Sequence, residues 1–137
     1  MADQPQRVDV ITPEGAVYAG EAEIVVVPGT AGELGVLANH APLVSSLKPG
    51  EMHVTDLAGK RHEFATDGGF ISVRKNETLV LVGEAVPRSK IDAGEAGARL
   101  QRAQAALEEA RDGDGDISRA EREARFAEVL VRAAGAS

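Results

Sequence analysis

The apolar residues of this chain repeat with two different periods, and the change falls at Pro87. Upstream lie short β-branched or alternating runs: Val8 and Val10, Ile24 to Val27, Met52 and Val54, Phe70 to Val73, Leu79 to Val82. Turn signals separate them at Pro13-Glu14-Gly15, Pro28-Gly29, Asn39 to Pro42, Lys48-Pro49-Gly50, Ala58-Gly59, Asp67-Gly68-Gly69 and Lys75-Asn76-Glu77. Strands recurring every ~8 to 12 residues indicate an antiparallel sandwich or barrel. Two runs, Ile24-Val25-Val26-Val27 and Leu79-Val80-Leu81-Val82, are apolar on both faces, which predicts inner strands covered on both sides.

Beyond Pro87, alanine, glutamate and arginine take over and the period becomes helical. Ala96, Leu100, Ala103, Leu107 and Ala110 follow one another at intervals of four and three, as do Ile117, Ala120, Ala124, Ala127, Val131 and Ala134. Each set predicts a narrow apolar seam along a helix. The break Asp112-Gly113-Asp114-Gly115-Asp116 folds the pair back as an antiparallel hairpin. Ser118 with Glu121 matches a capping box, and Asp92 with Glu95 imitates one. The expected organisation is a β-sandwich domain over residues 1–86, a linker over 87–90 and a helical hairpin over 91–137.

A seam made mostly of methyl groups gains only ~0.8 kcal/mol per buried carbon, against ~1 to 2 kcal/mol for ordering each residue. The hairpin is therefore expected to be marginally held. Two readings stay open: a frayed tail without consequence, or an element meant to leave the sandwich and bind elsewhere.

At 137 residues the chain can build one packed core with an appendage. Its apolar runs fall far short of the ~20 residues of a spanning helix, and no secretory signal is visible, so membrane association is expected only through a partner. The absence of cysteine excludes disulfides and thiolate chemistry. A net charge of −7 argues against nucleic-acid binding.

A search for catalytic chemistry finds no convincing set. His40, His53 and His62 have no metal-ligand spacing. Gly29-Thr30-Ala31-Gly32-Glu33-Leu34-Gly35 fits neither phosphate-binding glycine pattern and reads as a tight hairpin. Asp112, Asp114, Asp116 and Glu123 occupy positions of a calcium-loop template. Ile117, however, stands where that loop demands glycine, so a solvated turn with capping aspartates is expected, and no metal site.

The stretch Gly32-Glu33-Leu34-Gly35-Val36-Leu37-Ala38-Asn39-His40-Ala41-Pro42-Leu43, followed by Leu47-Lys48-Pro49-Gly50, resembles the signature of the epsilon subunit of the F-type (rotary) ATP synthase. Asp67-Gly68-Gly69-Phe70-Ile71-Ser72-Val73 matches the family's second hallmark, and Val10 with Thr12-Pro13-Glu14-Gly15 its opening strand and turn. The resemblance implies an N-terminal antiparallel β-sandwich of about ten strands followed by a two-helix hairpin. It implies a noncatalytic central-stalk subunit that couples rotation of the c-subunit ring to ATP synthesis in a proton-translocating enzyme. The implied partners are the gamma subunit and the c-ring, with the alpha and beta subunits added when the hairpin extends to inhibit ATP hydrolysis. The implied location is peripheral, on the cytoplasmic face of a bacterial plasma membrane.

By the same resemblance, Glu33 lies in the ring-facing loop and His40 in a segment near the gamma contact. Arg119, Arg122 and Arg125, with Arg132 beyond them, are the candidate inhibitory contacts; Arg122 and Arg125 share one helical face. Some family members bind ATP through an Ile-Asp-x-x-Arg-Ala motif. Here Ile91, Asp92 and Ala96 are retained but Glu95 stands at the arginine position, and a carboxylate repels a triphosphate, so no ATP cofactor is expected. The rival readings are a freestanding ligand-binding sandwich, which needs a polar-lined pocket, and a hydrolase on a β scaffold, which needs a nucleophile paired with a base.

Overall fold

The computed structural model describes residues 4–113 and 115–135. Among them nine strands precede two helices. The strands are β1 (Gln6–Thr12), β2 (Gly15–Gly29), β3 (Gly32–Leu37), β4 (Leu43–Leu47), β5 (Gly50–Asp56), β6 (Arg61–Thr66), β7 (Gly69–Arg74), β8 (Glu77–Val82) and β9 (Ala85–Pro87). A 3-10 turn at Arg88–Lys90 leads to α1 (Ala93–Asp112) and α2 (Ile117–Gly135).

Alternation along the strands builds a two-layered sandwich. Val8 and Val10 of β1, Ile71 and Val73 of β7, and Val80 and Val82 of β8 point inward from one layer. Val25 and Val27 of β2, Val36 of β3, Met52 and Val54 of β5 and Phe64 of β6 meet them from the other. The fifteen residues of β2 serve both layers. Its first half pairs with β1 from Gly15 to Ala22, and its second half pairs with β3 and β5. An irregularity in the β5 pairing between Ala22 and Ile24 marks where it passes from one layer to the other, as bulged corners do. Counted once in each layer, β2 reconciles nine continuous strands with the expected ten. No turn signal stands between Gly15 and Pro28, and Gly20 lies within the strand without ending it.

Both doubly apolar runs lie inside the strand order, β8 between β1 and β7, and β2 between β4 and β5. The expectation that they are covered on both faces fails for β8, whose Leu79 and Leu81 are exposed. Among the described residues none covers them, because the hairpin lies on the other layer.

The hairpin contains two kinds of contact. Ala103 of α1 meets Ala124 and Ala127 of α2, flanked by Leu100 and Leu107, as the first seam predicts. The second seam is corrected: Val131 is exposed, and Phe126, Val129, Leu130 and Ala133 form a further apolar face. That face, with Ala96 of α1, packs on Ala65 of β6 and on Val86 and Ile91. Because α2 must touch both α1 and the sandwich, its apolar arc is wider than a single seam. The large side chains among these residues give the docking more apolar surface than an alanine seam provides.

Asp92 caps α1, accepting a hydrogen bond from the Glu95 N–H at 3.0 Å. The cap of α2 is corrected from Ser118 to Asp116, whose carboxylate accepts the Arg119 N–H at 3.1 Å. Helix α2 begins at Ile117, so Ser118 already lies inside the first turn.

Close backbone approach explains the Asp67-Gly68-Gly69 hallmark. A methyl group on Gly69 would overlap the carbonyl oxygen of Leu81, its neighbour across the β7 and β8 pair. Gly69→Ala is expected to lower unfolding free energy by about 3 kcal/mol or more in urea titration. A loss below ~1 kcal/mol would mean that the two strands separate easily to admit the methyl.

Candidate functional site

Side chains opposite one another across a sheet point to the same face. On the outer face of the β1, β8, β7 and β4 layer, one row is Asp9, Leu79, Ser72 and Val44. The next row is Ile11, Leu81, Phe70 and Ser46. Val44 is 75% exposed, Phe70 59%, Leu81 45% and Leu79 37%. Arg7, Glu77 and Arg74 form a charged row at one border. A clustered apolar face with a charged margin has the character of a protein interaction surface. Periodicity marked Leu79 and Leu81 as unusual but not as exposed.

Glu33 and His40 do not share a site. Glu33 is exposed opposite Pro28, beside the turn that joins β2 to β3. His40 lies beyond the other end of β3, whose six residues span about 20 Å. Its Nδ1 donates to the Ala41 carbonyl at 2.7 Å. The Glu33 end adjoins the apolar face: Thr30 and Ser46 hydroxyls lie 3.0 Å apart.

The degenerate nucleotide motif is brought together at the root of α1. Ile91, Asp92, Glu95 and Ala96 border an open cleft of about 330 Å³ with Lys90, Arg99 and Arg102. Ala96 is buried, Ile91 is half-buried, and Asp92 is engaged as the cap. Arg99 binds two carboxylates, Glu84 at 2.9 and 3.0 Å and Glu123 at 2.7 and 3.2 Å. Its guanidinium also lies 4.8 Å from the centre of the Phe126 ring. The Glu84 and Glu123 hydrogen bonds hold its proton well above the ordinary arginine value. Arg119, Arg122, Arg125 and Arg132 are exposed along α2.

Among the described residues no cluster of histidine and acidic side chains could hold a metal ion; Asp114 of the calcium-loop template lies outside those residues. No helix among them is long and apolar enough to cross a membrane. His62 donates from Nε2 to Asp56 at 3.0 Å, and this bond, followed by the Lys60 N–H, lowers the Asp56 pKa. His53 stands on the outer face of the other layer, across from Val26 and Glu63. Burial first, and Arg61 second, lower its pKa below the ordinary 6.5.

Residues 6–88 match the family described as ATP synthase, Delta/Epsilon chain, beta-sandwich domain. The chain is 45% identical over 112 residues to the ATP synthase epsilon chain of Desulfitobacterium hafniense, covering 82% of this chain and 83% of that one. It is 38% identical over 128 residues to the ATP synthase epsilon chain of Xanthomonas campestris pv. campestris, covering 93% and 90%. The fold is also similar to a chain of the Euglena gracilis mitochondrial ATP synthase, in a cryo-EM structure that includes the c-ring. There the TM-score is 0.76 at 24% identity, over 97% of this chain and 84% of that one.

The lowered His53 pKa has a definite sign. Above pH 6.5 its stabilising contribution is fully present; as pH falls through the lower folded value, the unfolded chain takes the proton more readily and the contribution is lost. An NMR titration of the His53 ring should give a midpoint below 6.5, and a midpoint above it would contradict the burial described.

Proposed function

This chain belongs to the ATP synthase epsilon-chain family, and we propose that it serves as the noncatalytic rotor subunit of a proton-translocating F-type enzyme. The sandwich couples rotation of the c-ring to the gamma subunit, while the chemistry of ATP formation belongs to the catalytic partners. The observation that carries this reading is the open apolar face of Val44, Phe70, Leu79 and Leu81. A freestanding monomer gains nothing from leaving these side chains in water, whereas a stalk protein can bury them against gamma. The Glu33 loop, adjoining one end of that face, is the ring-facing element; His40, at the other end of β3, lies toward gamma.

Residues 1–86 act as the coupling domain, 87–90 as the linker and 91–137 as a regulatory arm. The exposed arginines Arg119, Arg122 and Arg125 suit bidentate bonds with acidic segments of the alpha and beta subunits once the arm extends. The protein is held peripherally at the cytoplasmic face of a bacterial plasma membrane, through gamma and the c-ring. A ligand-binding sandwich is disfavoured because the space between the layers is filled by valine, isoleucine, leucine, methionine and phenylalanine.

Replacing both Phe70 and Leu81 by glutamate tests the docking face without touching the core. Binding to the matching gamma subunit, measured by calorimetry, should weaken by at least about tenfold while the melting temperature stays near that of wild type. Unchanged affinity would remove this face from the interface. For the arm, the paired variant Arg122→Ala and Arg125→Ala should inhibit ATP hydrolysis by the epsilon-free catalytic sector less than wild type does. Equal inhibition would exclude these two arginines as braking contacts.

A further inference from the structure

We propose that Arg99 is a built-in clasp that keeps the hairpin folded on the sandwich without a bound nucleotide. This rests on the reading of the hairpin as a movable regulatory arm.

One guanidinium joins three separate parts of the molecule. Arg99 projects from α1, Glu123 from α2, and Glu84 from the connection between β8 and β9. Four hydrogen bonds, two to each carboxylate, use the planar fork of donors that arginine has and lysine lacks. Phe126, the largest fully buried side chain, lies against the same guanidinium. Breaking the clasp therefore loosens α1 from α2 and both from the sandwich, and opens one side of the Phe126 pocket to water.

Glu84 is anchored to the rigid part of the fold. Its N–H donates to the Asp67 carboxylate at 2.8 Å, and its carbonyl accepts the Asp67 N–H at 3.3 Å. Asp67 opens the Asp67-Gly68-Gly69 turn between β6 and β7, so the clasp reaches the sandwich core through one intermediary. The apolar contact it reinforces is one-sided: the large side chains come from α2, and among the described residues the sandwich meets them with Ala65 and Val86. An ion pair adds comparatively most where the apolar contribution is limited.

With the clasp closed, a nucleotide is neither needed nor favoured at the adjoining cleft. Glu84 and Glu123 already satisfy Arg99. Asp92 is committed to the helix cap, and Glu95 adds negative charge where a triphosphate would need an arginine. Arg99 is 28% exposed and its two carboxylates 43% and 42%. At that exposure the clasp is reversible and screened by salt, as a releasable contact must be.

The experiment is hydrogen exchange on the full-length chain, read by mass spectrometry, comparing wild type with Arg99→Gln and with Glu84→Gln. Each variant should speed amide exchange in α1 and α2 by about three- to tenfold while leaving β7 and β8 unchanged. The double variant should be no faster than Arg99→Gln alone, because once the guanidinium is gone Glu84 has no bond in the clasp left to lose. Raising salt to about 1 M should accelerate the wild-type hairpin more than that of the variants. Millimolar ATP should leave wild-type exchange unaltered. Wild-type exchange in both variants, or protection of α1 by ATP, would overturn the proposal. Hydrolysis assays with the same proteins separate the clasp from the arm's function. If the hairpins are loosened but no protein inhibits, the clasp stands and the braking reading falls. If wild type inhibits and the variants exchange like it, the clasp falls and the brake stands.

Discussion

Because β2 hydrogen-bonds to β1 along its first half and to β3 and β5 along its second, the two layers of the sandwich cannot separate without interrupting a continuous strand. The valine-rich core closes between them, and Gln6 adds a polar tie. Its amide donates to the Val36 carbonyl at 2.7 Å and accepts from Thr78 at 2.9 Å, linking β1, β3 and β8 through a buried and fully used side chain. The frame thus determined leaves two outer faces with unlike fates. The β5, β6 and β9 side carries the hairpin, and the β8, β7 and β4 side stays open with its leucines and phenylalanine in water.

That asymmetry connects stability with function. An apolar face covered by the chain's own helices contributes to the monomer, whereas an equally apolar face left bare contributes only when a partner arrives. The hairpin stands between these cases. Phe126, Val129 and Leu130 bury real apolar area, yet alanines make up the contact between the helices, and Arg99 supplies a charged link near the solvent. Such a mixture permits a folded resting form and leaves the exposed arginines of α2 available to another surface.

Much of the fold was legible from local signals. Lys75 and Asn76, both with positive φ, form the tight turn marked between β7 and β8, where asparagine is the residue type that favours such a backbone. Asp92 caps α1, and the first seam meets α2 as its spacing requires. Two readings failed for one shared reason: Leu79 and Leu81 were read as covered and Val131 as buried, and each outcome depended on which distant surface arrived, or did not arrive, beside the residue. The cap read at Ser118 failed locally, because α2 begins one residue earlier and Asp116 takes that place. Within the candidate sites, the motif residues at the root of α1 were necessarily close because they are sequence neighbours. The bare sheet face was missed because its exposed apolar members come from three different strands.

Period, turn chemistry and capping are properties of residues within a few positions of one another, so the sequence by itself determined a sandwich followed by a helical hairpin, and its motifs pointed to the family. Tertiary structure alone decided that β2 would cross between layers and that the hairpin would cover one face and not the other. It also decided that Glu84, fifteen residues before Arg99, and Glu123, twenty-four after it, would converge on one guanidinium. Those outcomes depend on long-range register and on competition among apolar faces for a limited supply of covering side chains, which no local pattern encodes.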